Sequence, residues 1–272
     1  MKTLPFVKMV GTGNDFVVLD LRRARARIRL ATLAKLARRI CHRPYAVGAD
    51  GLLTIEPSRR ANVKMRVVNP DGSAAGMCGN GARCVAWYVC RDTRKRRVTI
   101  ETQAGVLEAF LASPGHVRIT LPSPSPERAV LLHGLPPACR QVYAVDTGVP
   151  HAVVFVPDVR RVPVEAWGRN IRRHRLFSPA GTNVDFVEVK NRHTLSIRTY
   201  ERGVEAETLA CGTGAAAAGV VSIAAGRCRS PIGVCTRSGK QLTVRFDPDT
   251  RGQSTLSLEG EVQWAFEGTW MP

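Results

Sequence analysis

Aromatic residues are scarce in this 272-residue sequence, at 6% of the chain, and lysines are few, seven against 33 arginines. The arginine clusters carry none of the interleaved Phe, Tyr or Trp on which unpaired bases stack. No nucleic-acid-binding motif accompanies them, so nucleic acid is not expected as a partner despite the charge. Long apolar runs are also missing. The longest, residues 214–226, falls short of the about 20 residues that a bilayer requires. Residues 1–10 have no long apolar stretch behind their basic residues, so neither a secreted precursor nor a membrane span is expected. The eight cysteines, at positions 41, 78, 84, 90, 139, 211, 228 and 235, include no Cys-x-x-Cys pair. That spacing is what structural zinc or a thioredoxin-like redox pair uses, so no metal site is expected and the thiols are read as reduced.

What is present is the makeup of an ordinary folded protein, 44% hydrophobic and 23% charged. At roughly 100–200 residues per domain, the length suits one large domain or two smaller ones. The net charge is +18, with basic residues gathered at 21–30, 91–97 and 168–175. Solvated arginine-rich helix faces explain these clusters as well as a polyanion surface does.

Hydrophobic patterning predicts a strand over residues 16–20, a helix over 22–39, a glycine turn at 48–51 and a strand over 63–68. Asn69-Pro70-Asp71-Gly72 has the residues of a tight turn. Residues 81–90 carry a single charge, Arg83, and a helix apolar on nearly every side must be buried on nearly every side. Strand patterns at 98–102, 106–111 and 117–121 suggest a meander closing over it. Proline-rich residues 121–126 and 135–137 then mark a boundary. Beyond it come a strand at 153–156, a basic helix at 163–177, strands at 184–189 and 194–200, a second all-round apolar helix at 214–226, and strands at 242–246, 254–258 and 262–266.

The halves echo each other. Gly11-Thr12-x-x-Asp15-Phe16-Val17 matches Gly181-Thr182-x-x-Asp185-Phe186-Val187, and Cys78-Gly79-Asn80-Gly81-Ala82 matches Cys211-Gly212-Thr213-Gly214-Ala215. Each Cys-Gly-x-Gly-Ala turn immediately precedes a buried helix. Free backbone N–H groups and the positive end of the helix dipole therefore point at whatever occupies the turn. A carboxylate is favoured there, and so is a thiolate. Cys78 and Cys211 are thus candidate reactive thiols, whereas Cys84 and Cys90, inside the first helix, read as small buried hydrophobes. If the halves pack as a pseudo-twofold pair, the two cysteines can face each other across one carboxylate-holding cleft. One thiolate and one thiol on opposite sides of a carbon can then invert it without a cofactor. The turn donors would stabilise the developing carbanion.

Together Gly11-Thr12-Gly13-Asn14-Asp15-Phe16, Gly48-Ala49-Asp50-Gly51, Asn69-Pro70-Asp71-Gly72-Ser73, Met77-Cys78-Gly79-Asn80-Gly81-Ala82-Arg83, Gly148-Val149-Pro150-His151, Gly181-Thr182-Asn183-Val184-Asp185-Phe186, Tyr200-Glu201-Arg202-Gly203 and Ala210-Cys211-Gly212-Thr213-Gly214 resemble the diaminopimelate epimerase family through nearly the whole chain. The resemblance implies a cytoplasmic, pyridoxal-independent isomerase with no cofactor. It would interconvert LL- and meso-diaminopimelate on the route to lysine and peptidoglycan, and a homodimer is expected. It also implies an α+β fold of two pseudo-symmetric domains, each a mixed β-sheet rolled around a central buried helix. The domains would cover residues 1–121 and 122–261, with strand 262–272 returning to the first. By motif, Cys78 and Cys211 would be the acid/base pair, and Gly79, Asn80, Gly212 and Thr213 would hold the reacting carboxylate. Asn14, Asn69 and Asn183 would donate to substrate, and Arg202 would grip its distal carboxylate with a planar fork. Glu201 would accept from a substrate ammonium or tune the thiols, and His151 would be a polar neighbour of the cysteines.

Two positions depart from the family pattern: Val149 stands where many members have Asn, and Gly51 where some have Gln. The same chemistry on another amino acid therefore stays open, as does, in a different class, an anion- or nucleic-acid-binding protein using the arginine clusters.

Overall fold

The computed structural model describes residues 3–22, 28–133, 135–247 and 254–271, except for the side chain of Ala138. The chain forms two compact units, Met1–Ile119 with Gly260–Pro272, and Thr120–Glu259. No helix among the described residues is long and apolar enough to cross a membrane.

The first unit contains β1 (Leu4–Gly11), β2 (Asn14–Asp20), α1 (Leu30–Ile40), β3 (Gly51–Glu56), β4 (Val63–Val68), β5 (Ala74–Ala75), α2 (Gly79–Thr93), β6 (Arg97–Thr102), β7 (Gly105–Ser113) and β8 (His116–Leu121). Strands β2 and β3 run parallel, as do β4 and β6, while β1–β2, β3–β4, β6–β7 and β7–β8 are antiparallel. This mixed sheet curls around α2, whose residues 80–86 are all buried. Period-two alternation explains why every residue of β3 is buried. Leu52 joins Val17, Leu19 and Val68 against Leu33, Ala37 and Ile40 of α1, whereas Leu53 turns to α2 at Gly81.

The second unit adds β9 (Arg128–Leu131) and then repeats this order with β10 (Gln141–Asp146), β11 (Pro150–Phe155), α3 (Val164–Arg172), β12 (Asn183–Asn191), β13 (Thr194–Glu201), β14 (Ala206–Thr208), α4 (Gly212–Ala224), β15 (Ile232–Cys235), β16 (Gln241–Asp247) and the start of β17 (Thr255–Trp270), whose residues from 260 on belong to the first unit. The parallel pairs are β11–β12 and β13–β15, the counterparts of β2–β3 and β4–β6. Val184, Phe186 and Tyr200 face Ile171 of α3, and the alternate residues of the same strands turn to α4, which is buried throughout residues 214–222. Gly168 brings α3 onto Tyr200, and Gly219 brings α4 onto Val244 of β16.

Four expectations change. The helix foreseen over residues 22–39 starts at Leu30. Arg22 instead folds back on Asp20, its Nε donating to Oδ1 at 2.9 Å, and residues 23–27 lie outside the described residues. The helix at 163–177 ends at Arg172, with a separate single 3₁₀ turn over Arg175–Phe177. The two closing strands are one, β17, whose residues 262–270 pair antiparallel with β1 from Gly11↔Val262 to Leu4↔Trp270. Finally, only one of the two sequence echoes is a structural one. Gly11–Val17 spans the β1–β2 hairpin, while the segment starting at Gly181 enters β12, the counterpart of β3. The hairpin glycine matching Gly13 (φ 95°) is Gly148 (φ 102°), and Gly181 (φ 70°) matches Gly48 (φ 69°). Strands β1 and β3 escape the hydrophobic pattern because their central residues are buried in an unbroken run, and β5, β9, β14 and β15 because they are short; β10 is missed as well.

Candidate active site

Cys78 is the N-cap residue of α2 and Cys211 that of α4, both with extended backbone (φ −142° and −111°). Each Sγ accepts a hydrogen bond from the N–H three residues on, Gly81 or Gly214, at 3.4 Å. A thiol thus does the work usually left to Ser, Thr, Asp or Asn at a helix start. The next two positions, Gly79-Asn80 and Gly212-Thr213, open the helices, where backbone donors lack intrahelical acceptors. Small side chains are needed, since a Cβ on Gly81 would sit 2.9 Å from Leu53 and one on Gly214 2.3 Å from Asp185 Oδ1.

Around Cys78 the polar groups form a chain. The buried Asn80 donates its Nδ2 to Asn14 Oδ1 at 2.6 Å, and Asn14 Nδ2 donates to Asp50 Oδ2 at 3.0 Å. Arg83, fully buried, donates through Nη2 to Asn80 Oδ1 at 2.6 Å and to Thr12 Oγ1 at 2.9 Å. Asn69 is half-buried at the turn after β4, its Nδ2 on Ser73 Oγ at 2.9 Å.

Around Cys211 the composition is different. The thiol is 8% exposed and lies 3.4 Å from Thr213 Oγ1. Burial pushes its pKa well up, the negative charges of Glu201 and Asp185 push further, and the Thr213 and Gly214 donors only partly oppose them. His151 and Asp185 are both fully buried, with Nδ1 and Oδ2 at 2.7 Å, and Asp185 Oδ1 accepts from Thr199 at 2.8 Å. Asn183 bridges two loops, its Nδ2 donating to Pro150 O at 3.2 Å while its Oδ1 accepts from the Arg202 N–H at 2.8 Å. The Arg202 guanidinium contacts Gly181 O at 3.4 Å. Burial raises the Glu201 carboxyl, with His151 pulling in the opposite direction.

The second unit therefore gathers Cys211, Gly212, Thr213, Asn183, Glu201, Arg202 and His151, and the first gathers Cys78, Gly79, Asn80 and Asn14, with Asn69 on its own turn. Sequence reasoning assigned no role to Arg83, Thr12, Asp50, Asp185 or Thr199. Arg83 had the clearest signal, as the lone charge in an otherwise apolar helix.

Two units, each a mixed sheet wrapped on a central helix, define a fold class seen in solved structures. A PhzF-family phenazine biosynthesis protein of Bacillus anthracis matches with a TM-score of 0.76 at 15% identity, covering all of both chains. A probable proline racemase of Agrobacterium radiobacter K84 matches with a TM-score of 0.71 at 16% identity, over 98% of this chain and 93% of that one. At such identities the likeness is one of fold. Within that fold the chain belongs to the diaminopimelate epimerase family, whose model matches residues 6–124 and 143–264. It is 42% identical to the diaminopimelate epimerase of Aquifex aeolicus over 97% of both chains. It is 45% identical to that of Chlamydia muridarum over 78% of this chain and 79% of the other.

Proposed function

We propose that this protein is a cytoplasmic, homodimeric isomerase that interconverts LL- and meso-2,6-diaminopimelate, supplying lysine and peptidoglycan precursors. Its two units serve as the two catalytic domains. The observation that carries the reading is the pair of cysteine-capped helix starts in a chain of this family. One cysteine, as thiolate, takes the α-proton, and the other, as thiol, returns a proton to the opposite face. Charge building on the substrate carboxylate is met by the helix-start donors at Gly79, Asn80, Gly212 and Thr213. Asn14, Asn69 and Asn183 orient the substrate, Arg202 binds its distal carboxylate, Glu201 takes its ammonium, and His151 supports the Cys211 side. The proton itself provides the test. Reduced protein with LL-diaminopimelate in deuterated water, without pyridoxal phosphate, is expected to place deuterium at the α-position as the meso isomer appears. Inversion without exchange, or no inversion, overturns the reading.

Val149 supports a second substrate reading, because a valine in the Gly148-Val149-Pro150-His151 turn offers no side-chain donor. Arg202→Met separates the two. With a dicarboxylate substrate KM should rise about tenfold or more, as expected for losing a charged hydrogen bond, whereas a substrate with a neutral end would leave KM unchanged.

A further inference from the structure

The repeated topology allows the surroundings of the two thiols to be compared position by position. Gly81 and Gly214 occupy the same place in their turns and press on Leu53 and Asp185 respectively, so these two residues are counterparts. Their cross-strand partners are Val67 and Thr199. The parallel neighbours supply the third pair, because Phe16 lies opposite Gly51 as His151 lies opposite Asn183, two residues before Leu53 and Asp185. The Cys211 side thus has Asp185, Thr199 and His151 where the Cys78 side has Leu53, Val67 and Phe16, all of them buried.

The reverse exchange occurs on the helices. Five residues after Cys78 comes Arg83, and five after Cys211 comes Ala216, both 0% exposed. Among the described residues Arg83 bonds the neutral Thr12 and Asn80, and its Nε and Nη1 have no acceptor. A buried cation without an anion is costly. Burial pushes the guanidinium down to about 10, and the groups opposing that shift are Cys84 and Cys78. Cys84 is sealed in the helix and pushed up to about 12, chiefly by burial. Cys78 is half-buried, at the mouth of the turn. Thr12, Asn14, Leu53 and Ile119 beside the turn carry no charge, and Asp50 at the end of the bonded chain is paired with Arg43 at 3.2 Å. Cys211 faces Glu201 and the Asp185–His151 pair and has no counterpart of Arg83.

We propose that Arg83 is a positioning residue that makes the two thiols unequal: its buried guanidinium holds the negative charge on Cys78, so that the substrate-free enzyme rests with Cys78 as thiolate and Cys211 as thiol. In the reaction set out above, on which the roles of the thiols rest, Cys78 would then abstract first and Cys211 would donate. The enzyme would emerge with the charges exchanged and return to rest by proton exchange with solvent.

The test needs no substrate, so it can fail independently of the epimerase reading. Full-length protein is alkylated with iodoacetamide over a range of pH, and modification of each cysteine is followed by mass spectrometry. Cys78 is expected to react at lower pH than Cys211. Arg83→Met should move the Cys78 profile up by about one unit or more, the usual effect of losing a neighbouring opposite charge. It should leave the Cys211 profile in place, and Arg83→Lys should largely restore the Cys78 profile. An unmoved Cys78 profile in folded Arg83→Met overturns the proposal. Should that variant not fold, ultraviolet thiolate absorbance at neutral pH decides. It is expected to vanish in Cys78→Ser and persist in Cys211→Ser, and the opposite pattern overturns the assignment.

Discussion

At the residue scale, position separates thiols of the same chemistry. Cys78 and Cys84 lie on one helix, yet Cys78 caps it and Cys84 is sealed inside it. Cys78→Ala and Cys211→Ala should each lower epimerase turnover by about 100-fold or more, the scale of a lost general acid or base. Cys84→Ala should leave turnover near wild type, as an activity assay would show. Glu201 illustrates a site residue held at a cost to the fold. Burial raises its carboxyl above the ordinary carboxylate value, so the folded state favours the protonated form. Its contribution to stability is fully present below the ordinary value and declines as pH rises through the raised one. Glu201→Gln should therefore raise Tm relative to wild type at pH above the raised value and change it little in acid below the ordinary one, while weakening substrate binding. A Tm difference independent of pH would refute this.

At the element scale, glycines set how closely helices approach the sheets. A Cβ at Gly168 of α3 would lie 2.4 Å from Tyr200 Cβ, an atom fixed by the backbone of β13 and unable to swing aside. Overpacking of this kind costs about 1–3 kcal/mol, against a helix-propensity gain of about 1 kcal/mol from Gly to Ala. Gly168→Ala should thus lower stability in denaturant unfolding, and a net gain would show that α3 can shift outward freely. The two buried helices were legible from composition alone, since residues 81–90, Arg83 apart, and 214–226 are apolar or small on nearly every side. The outer helices were legible only in part, because the Arg-rich sequence after α3 carries helix propensity past Arg172, where the helix ends.

At the scale of the whole molecule, the last strand ties the chain's end to its beginning. Residues 262–270 pair with β1, and Glu261 O lies 3.4 Å from Thr12 Oγ1. A chain ending at residue 259 leaves β1 without that antiparallel partner, and an unpaired edge exposes a row of backbone groups. Such a chain should lose hydrogen-exchange protection in β1 and α2 while keeping it in α4. Equal protection in both helices would show that the first unit does not depend on the strand.

The local parts of the candidate site are written in short stretches of sequence. A Cys-Gly-x-Gly turn before an apolar run caps a helix with sulfur because the interacting atoms lie within three residues, and so both candidate cysteines could be found without coordinates. The difference between them is written only in part, as Arg83 against Ala216. The rest arises from residues brought together across the fold: Arg83 and Thr12 are 71 positions apart, His151 and Asp185 34, and Thr199 and Asp185 14. Strand register selects those partners, and a one-residue change in register turns every side chain to the other face. Folding therefore decided that the cation beside one turn is buried without an anion and that the other turn receives a buried carboxylate, and the match between Gly11-Thr12 and Gly181-Thr182 joins positions with different places in the repeat.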